Sequence, residues 1–169
     1  HLKLTLSLDY RNSLQYQILW RKKMKILNKS LFLNTKKEFE IISITSLVNE
    51  FVKEAGITFG SIQVFSRHTT LSIKINENEK LLLNDFTKFM EETVDTNKEY
   101  EHDNIALRLD CPQDEPKNAS GHLKCFLLEN SQTIPIIENE MQLGRYQDLL
   151  AIETSGPRNR EIVLQIIGE

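Results

Sequence analysis

Nowhere in the 169-residue sequence does an apolar run approach the length of about 20 residues needed to cross a bilayer as a helix, so a helical membrane span is excluded. Cysteine is scarce. Cys111 and Cys125 stand alone, with no C-x-x-C pair, so their spacing fits neither a zinc ribbon nor a disulfide framework. Two reduced thiols in a cytoplasmic protein are expected. An excess of one charge is also missing: 21 Lys and Arg face 24 Asp and Glu, for a net charge of -3. Such a balance gives no general attraction to phosphate backbones or anionic lipid, and neither nucleic acid nor membrane is the expected partner. Internal repeats and low-complexity tracts are absent from residues 24 to 169. The basic N-terminal stretch lacks the unbroken apolar core and small-residue cleavage site of a secretory signal.

What is present is ordinary globular usage, 40% hydrophobic and 27% charged. The length suits one domain, and a domain of this size buries about 70% of the surface of its unfolded chain. The expected domain is 24–169, beginning at a plausible initiator, Met24, with 1–23 as an extension or arm. In that arm Leu2, Leu4, Leu6 and Leu8 alternate with polar residues as in a strand.

Strand patterns "ILNKSLFLN" and "KEFEIISI" flank a polar turn at Asn34 to Lys37 and suggest a hairpin. A helix follows, since Leu47, Val48, Phe51, Val52 and Ala55 recur at three and four, with Thr45 as cap and Gly56 as stop. Next, Ile62 and Val64 share one strand parity whereas Leu71, Ile73 and Ile75 take the other. Either a bulge near 66 to 70 or two strands joined by a polar turn produces that switch. A second main helix is expected over Glu79 to Thr93 from the spacing of Leu82, Phe86, Phe89 and Met90. From Asp95 to Gly121 the sequence is polar and aperiodic. Short strands "HLKCFLL", "QTIPII", "DLLAIET" and "EIVLQIIG" complete an α+β domain with a mixed or antiparallel sheet.

Chemistry concentrates in a few places. His68 in "SRHTT", His102 in "YEHDN" and His122 in "NASGH" sit among polar or small residues. Three imidazoles with a fourth position open to water suit catalytic zinc, and Glu77, Asp85, Asp103 and Glu153 could complete or orient such a set. No two of the histidines share a local metal spacing, so the alternative is three separate structural or surface groups. In "ETSGPRNRE", Arg158 and Arg160 are two apart. On an extended segment they would grip a phosphate or carboxylate from one face, or else pair with Glu153 or Glu161. In "QLGRYQD", Gly144 permits a turn while Tyr146 and Gln147 offer a ring and an amide, or simply packing and capping groups.

Taken in order, S-x-H-T-T…I-N-E, Y-x-H-D, N-A-x-x-H-L-K, "MQLGRYQ" and E-x-x-G-P-R-x-R resemble the YjbQ-like family, associated with a secondary thiamine-phosphate synthase activity. The resemblance implies a homotrimer with pockets at subunit interfaces. It makes His68, His102 and His122 metal ligands, for zinc first and magnesium second. Glu77, Asp103, Glu153, Arg158 and Arg160 become catalytic candidates, and Thr69, Thr70, Asn76, Asn118, Gln147 and the two arginines line a small phosphorylated substrate. Tyr146 replaces the family's usual tryptophan, Leu71 a small residue, and 104–117 form a longer insert, which bears on pocket shape. Other chemistries compatible with the same residues are a zinc-dependent hydrolase of a small phosphorylated or carboxylated substrate and a non-catalytic trimeric metal or anion binder.

Overall fold

The computed structural model describes residues 23–109, 111–112 and 115–169. The chain runs through β1 (Lys25–Asn34), β2 (Glu40–Ser43), α1 (Thr45–Ala55), β3 (Phe59–Ser66), β4 (Leu71–Asn76) and α2 (Lys80–Thr93). Two short 3-10 turns, Glu101–Asp103 and Ile105–Leu107, lead to α3 (Ala119–Phe126). Then come β5 (Ser131–Ile137), β6 (Glu140–Met141), β7 (Asp148–Glu153) and β8 (Asn159–Gly168). The outcome is the expected α+β domain, with antiparallel pairing throughout the described strands. The strand pattern expected at Leu2 to Leu8 lies outside the described residues.

Alternating burial along β8 sets the centre, because Arg160, Ile162, Leu164 and Ile166 point inward while the residues between them do not. β8 lies between β1 and β3 in a five-stranded sheet of order β1-β8-β3-β5-β6. A second sheet, of order β2-β7-β4, turns Leu71, Ile73, Leu149 and Ala151 toward the first. Val48, Phe51 and Val52 of α1 join that core. Each such side chain contributes about 1.5–3 kcal/mol on burial. Leu150 and Ile152 of β7 have the opposite parity and are buried too, each 2% exposed. Their cover is the helical side of the molecule, where Cys125 of α3 meets Ser72 of β4 at 3.0 Å and Phe86 of α2 stands 6.2 Å from Phe39.

Local signals explain the helices. Gly56 adopts φ 60, and its N–H closes α1 on the Lys53 carbonyl at 3.3 Å. The residue before α1 is Ile44, without a side-chain cap. Thr45 instead begins the helix, and its Oγ1 accepts the Leu149 N–H at 2.7 Å and donates to Asp148. α2 starts where the Glu79 carboxylate accepts the N–H groups of Leu81 and Leu82, both at 2.9 Å. Among the α2 residues only Met90 is buried, so the apolar stripe that marks the helix leaves Leu82 and Phe89 exposed.

Two expectations need correction, and one open choice is decided. The hairpin at Asn34 to Lys37 does not form: β1 pairs with β8 and β2 with β7, in different sheets. Of the two readings of the parity switch at 66 to 70, two strands joined by a polar turn is the one found, with β3 in the five-stranded sheet and β4 in the three-stranded one. "HLKCFLL" is not a strand, because residues 119–126 form a third helix that buries Ala119, Gly121, Lys124 and Cys125 and leaves Leu123 and Phe126 outside.

Candidate functional site

Residues 66 to 70 carry the chain from one sheet to the other, and both ends of the crossing are fixed. β3 stops at Ser66, opposite Ile162. At the next position on β8 the Glu161 N–H donates to His68 Nε2 at 2.9 Å, so the imidazole continues the ladder where the strand has ended. Thr70 closes the crossing: its carbonyl accepts the Thr154 N–H at 3.0 Å and the Thr154 hydroxyl at 2.8 Å. Thr69 between them is exposed. Burial first, then the charge of Arg160, holds the His68 imidazole below its ordinary value, with Glu153 and Glu161 pulling the other way.

Arg160 points inward from β8 and meets Glu153 of β7, fully buried at 0% exposure. Nε and Nη2 of Arg160 donate to the two carboxylate oxygens at 2.6 and 2.5 Å, and Nη2 also donates to Thr70 Oγ1 at 2.7 Å. The Thr35 hydroxyl at 3.0 Å and the Ser155 N–H at 2.9 Å complete the carboxylate's shell. Burial alone would raise the pKa of Glu153, but these bonds and the guanidinium charge outweigh it and set it below the ordinary carboxylate value. The two arginines therefore do not form one grip: Arg160 is committed to Glu153 in the interior.

Arg158 stands apart, half-buried on the turn between β7 and β8. The linker between β1 and β2 cradles this turn. Thr35 exchanges backbone and hydroxyl bonds with Arg158, and the Gly156 N–H donates to the Glu38 carbonyl at 3.0 Å. Gly156 is required by contact, since a Cβ there would lie 2.3 Å from the Lys37 carbonyl oxygen. The Gly156–Pro157 peptide is cis. Arg158 Nε donates to the Ser155 carbonyl at 2.8 Å.

α3 brings the other two histidines together. The rings of His102 and His122 stand 4.8 Å apart, edge to face at 66°. Asp103, next to His102, accepts the Ala119 N–H at 3.0 Å and so caps α3. His122 is held below its ordinary value by burial, then by its neighbours His102 and Arg108, with Glu115 opposing and Arg158 adding to the effect. His122 and His68 line a common cavity of about 510 Å3 with Thr69, Cys125, Phe126 and Glu129. Cys125 is a buried free thiol; burial pushes its pKa up, against a hydrogen bond with Ser72.

Other expected residues lie elsewhere. Asn76 and Glu77 are exposed at the far end of β4, where Asn76 pairs with Asp148 while Leu71, at the near end, pairs with Glu153. Five residue steps, about 17 Å, separate those ends. Asp85 is exposed on α2, and Gln147 is a turn staple whose Oε1 accepts the Gly144 N–H at 2.7 Å. Among the described residues no group of three or more His, Cys, Asp and Glu side chains stands in metal-holding geometry. His68 turns Nε2 to Glu161, while the rings of His102 and His122 stand against each other beside α3.

Sequence reasoning passed over Arg108, Lys117 and Ser155, which surround the same helix and turn. The sequence profile of the UPF0047 protein YjbQ-like family matches residues 29–169. The chain belongs to the UPF0047, YjbQ-like family. A UPF0047 protein of Methanothermobacter thermautotrophicus is 39% identical over 146 residues, 86% of this chain and 95% of that one. The UPF0047 protein YugU of Bacillus subtilis is 32% identical over 83% of this chain and 98% of its own. A crystal structure of a protein of unknown function from Sulfolobus solfataricus superposes with a TM-score of 0.78 at 28% identity, covering 87% of this chain and all of that one. The described residues of this UPF0047 chain contain no helix long and apolar enough to cross a membrane.

Proposed function

We propose that this UPF0047 protein is a transferase acting on small phosphorylated molecules, of the thiamine-phosphate synthase type. The thiazole nitrogen of a thiazole phosphate forms a bond to the methylene carbon of a pyrimidine pyrophosphate. The carbon–oxygen bond to pyrophosphate breaks, and pyrophosphate departs with the electron pair. Catalysis consists of positioning the two rings and stabilising the charge that grows on the leaving group. The observation that carries this reading is the setting of His122, half-buried beside the cations Arg108 and Arg158: burial first and then these charges lower its proton affinity, and the surroundings suit an anionic substrate. His122, neutral near pH 7, can donate or accept a hydrogen bond there, and the cavity it shares with His68 has room for a ring.

A divalent ion, zinc first, belongs to this proposal as a partner of the His102 and His122 pair, with its remaining donors supplied from outside the described chain. When bound it would add positive charge for the departing pyrophosphate. The proposed assembly is a homotrimer. Phe126, on the rim of the His68 and His122 cavity, is 90% exposed in the single chain, as expected of a side chain that another copy covers.

The test is pyrophosphate release from the paired pyrimidine and thiazole precursors. Release is expected from the unaltered chain and from Arg145→Gln, an exposed control, and its loss in His122→Gln and Arg158→Gln. No release above the protein-free rate would end the synthase reading. Chelator-sensitive cleavage of phosphoesters in its place would identify a hydrolase, and neither activity with metal retained would identify a binding protein.

A further inference from the structure

We infer that the cavity at the start of α3 is a phosphate subsite, built to hold a phosphate monoester or diphosphate group. This deepens the transferase reading, on which it rests for the identity of the anion. The cavity, about 460 Å3, is separate from the one lined by His68, and Lys117, Asn118, Ser120, Gly121, Ser155 and Arg158 line it. Glu38 adds a carboxylate to the same lining, against the two cations Lys117 and Arg158.

Donors approach from two sides. On one side is the first turn of α3. Asp103 takes the Ala119 N–H, and the first helical bond runs from the His122 N–H to the Asn118 carbonyl at 3.1 Å. The N–H groups of Ser120 and Gly121 between them have no acceptor among the described residues, and the helix dipole favours negative charge there. On the other side is Arg158, whose Nε is fixed on the Ser155 carbonyl at 2.8 Å. Among the described residues nothing accepts from its two Nη groups, so the guanidinium is oriented with its fork unused.

A second, independent observation points to a ligand. Asn118 is only 9% exposed, lines this cavity, and has an Oδ1 without a hydrogen-bond partner among the described residues. A buried amide left unbonded is costly, and rotation of the group presents Nδ2 as a donor instead. Gly121 keeps the two sides close, because a Cβ there would lie 2.6 Å from the Thr154 carbonyl oxygen and 2.8 Å from Ser155 Cβ. The supply of donors exceeds what a carboxylate's two oxygens use and suits the three terminal oxygens of a phosphoryl group.

Calorimetric titration of the full chain with inorganic pyrophosphate, inorganic phosphate and sulfate tests the assignment. Pyrophosphate is expected to bind once per chain, with Arg158→Gln and Ser120→Asp weakening it at least tenfold and Arg145→Gln unchanged. Ser120→Asp puts a carboxylate where helices favour one, so the fold should persist by circular dichroism. Should Arg158→Gln unfold, Lys117→Gln carries the same test at an exposed position, with a several-fold weakening expected. Absence of pyrophosphate binding, full-strength binding by the altered chains, or equally tight binding of sulfate would overturn the assignment. The readout needs no turnover: pyrophosphate held through Arg158 without thiamine phosphate formation would sink the synthase reading and leave this subsite standing.

Discussion

Arg160 of β8 and Glu153 of β7 face each other across the gap between the two sheets, joined through both carboxylate oxygens. Removing one partner strands the other charge in the interior. Glu153→Ala is therefore expected to lower stability by about 3–5 kcal/mol. A double change to Met at both positions should recover most of that loss, because well-packed apolar replacements of a buried pair are often neutral. Guanidinium denaturation midpoints of the two variants check this, and an equal loss in both would refute it.

Acid should act on the same pair. Glu153 has a folded pKa below its ordinary value of 4.5, so the unfolded chain takes up its proton first as pH falls. The stabilisation is present above that ordinary value and lost as pH drops through the lower, folded one. The imidazoles of His68 and His122 act in the same direction at higher pH. Their folded values lie below 6.5, so stability begins to decline as pH falls past 6.5. Melting temperatures from pH 8 to pH 4 should fall in these two stages, and His68→Gln with His122→Gln should flatten the first.

Two histidines of one cavity should give different signatures. His68→Ala removes the acceptor of the Glu161 N–H and should cost about 1–3 kcal/mol of stability. His122→Gln loses no such bond among the described residues and should leave the melting point nearly unchanged while lowering turnover on the order of 100-fold. Reversed signatures, read by calorimetry and pyrophosphate release, would contradict the roles assigned here.

Gly121→Ala pushes α3 off the Thr154 and Ser155 backbone. A loss of about 1–3 kcal/mol is expected from overpacking, together with weaker pyrophosphate binding. Unchanged stability and affinity would mean that the contact is slack.

Light scattering on the chain should report three copies. Phe126→Glu, at a side chain with little to lose in the isolated fold, should shift the mass toward one copy and lower activity at the cavity it borders. A single-copy mass for the unaltered protein would remove the trimer.

Much of this was legible in the sequence. Helices α1 and α2 announced themselves by spacing of three and four, and β7 and β8 by dense runs of β-branched and aliphatic residues. The burial of Arg160 was also readable, since it shares parity with Ile162, Leu164 and Ile166. α3 was not, because its Leu123 and Phe126, with Leu127 just past its end, are exposed and its inner face is small or amphipathic. A run that short does not separate helix from strand. The separation of β1 from β2 carried no local signal at all, as sheet membership depends on distant partners. The convergence of His102 on His122 was anticipated as part of a trio. Asn76, Glu77 and Gln147 fell at the other end of the sheet because motif order says nothing about which strand end a residue occupies.

The crossing at residues 66 to 70 has a mechanical meaning. His68 is tied to one layer through Glu161, while Thr70, two residues on, is tied through Thr154 to the other. Any sliding of the layers past one another must therefore tug on that imidazole, which makes the ring a built-in strain gauge for the whole sandwich.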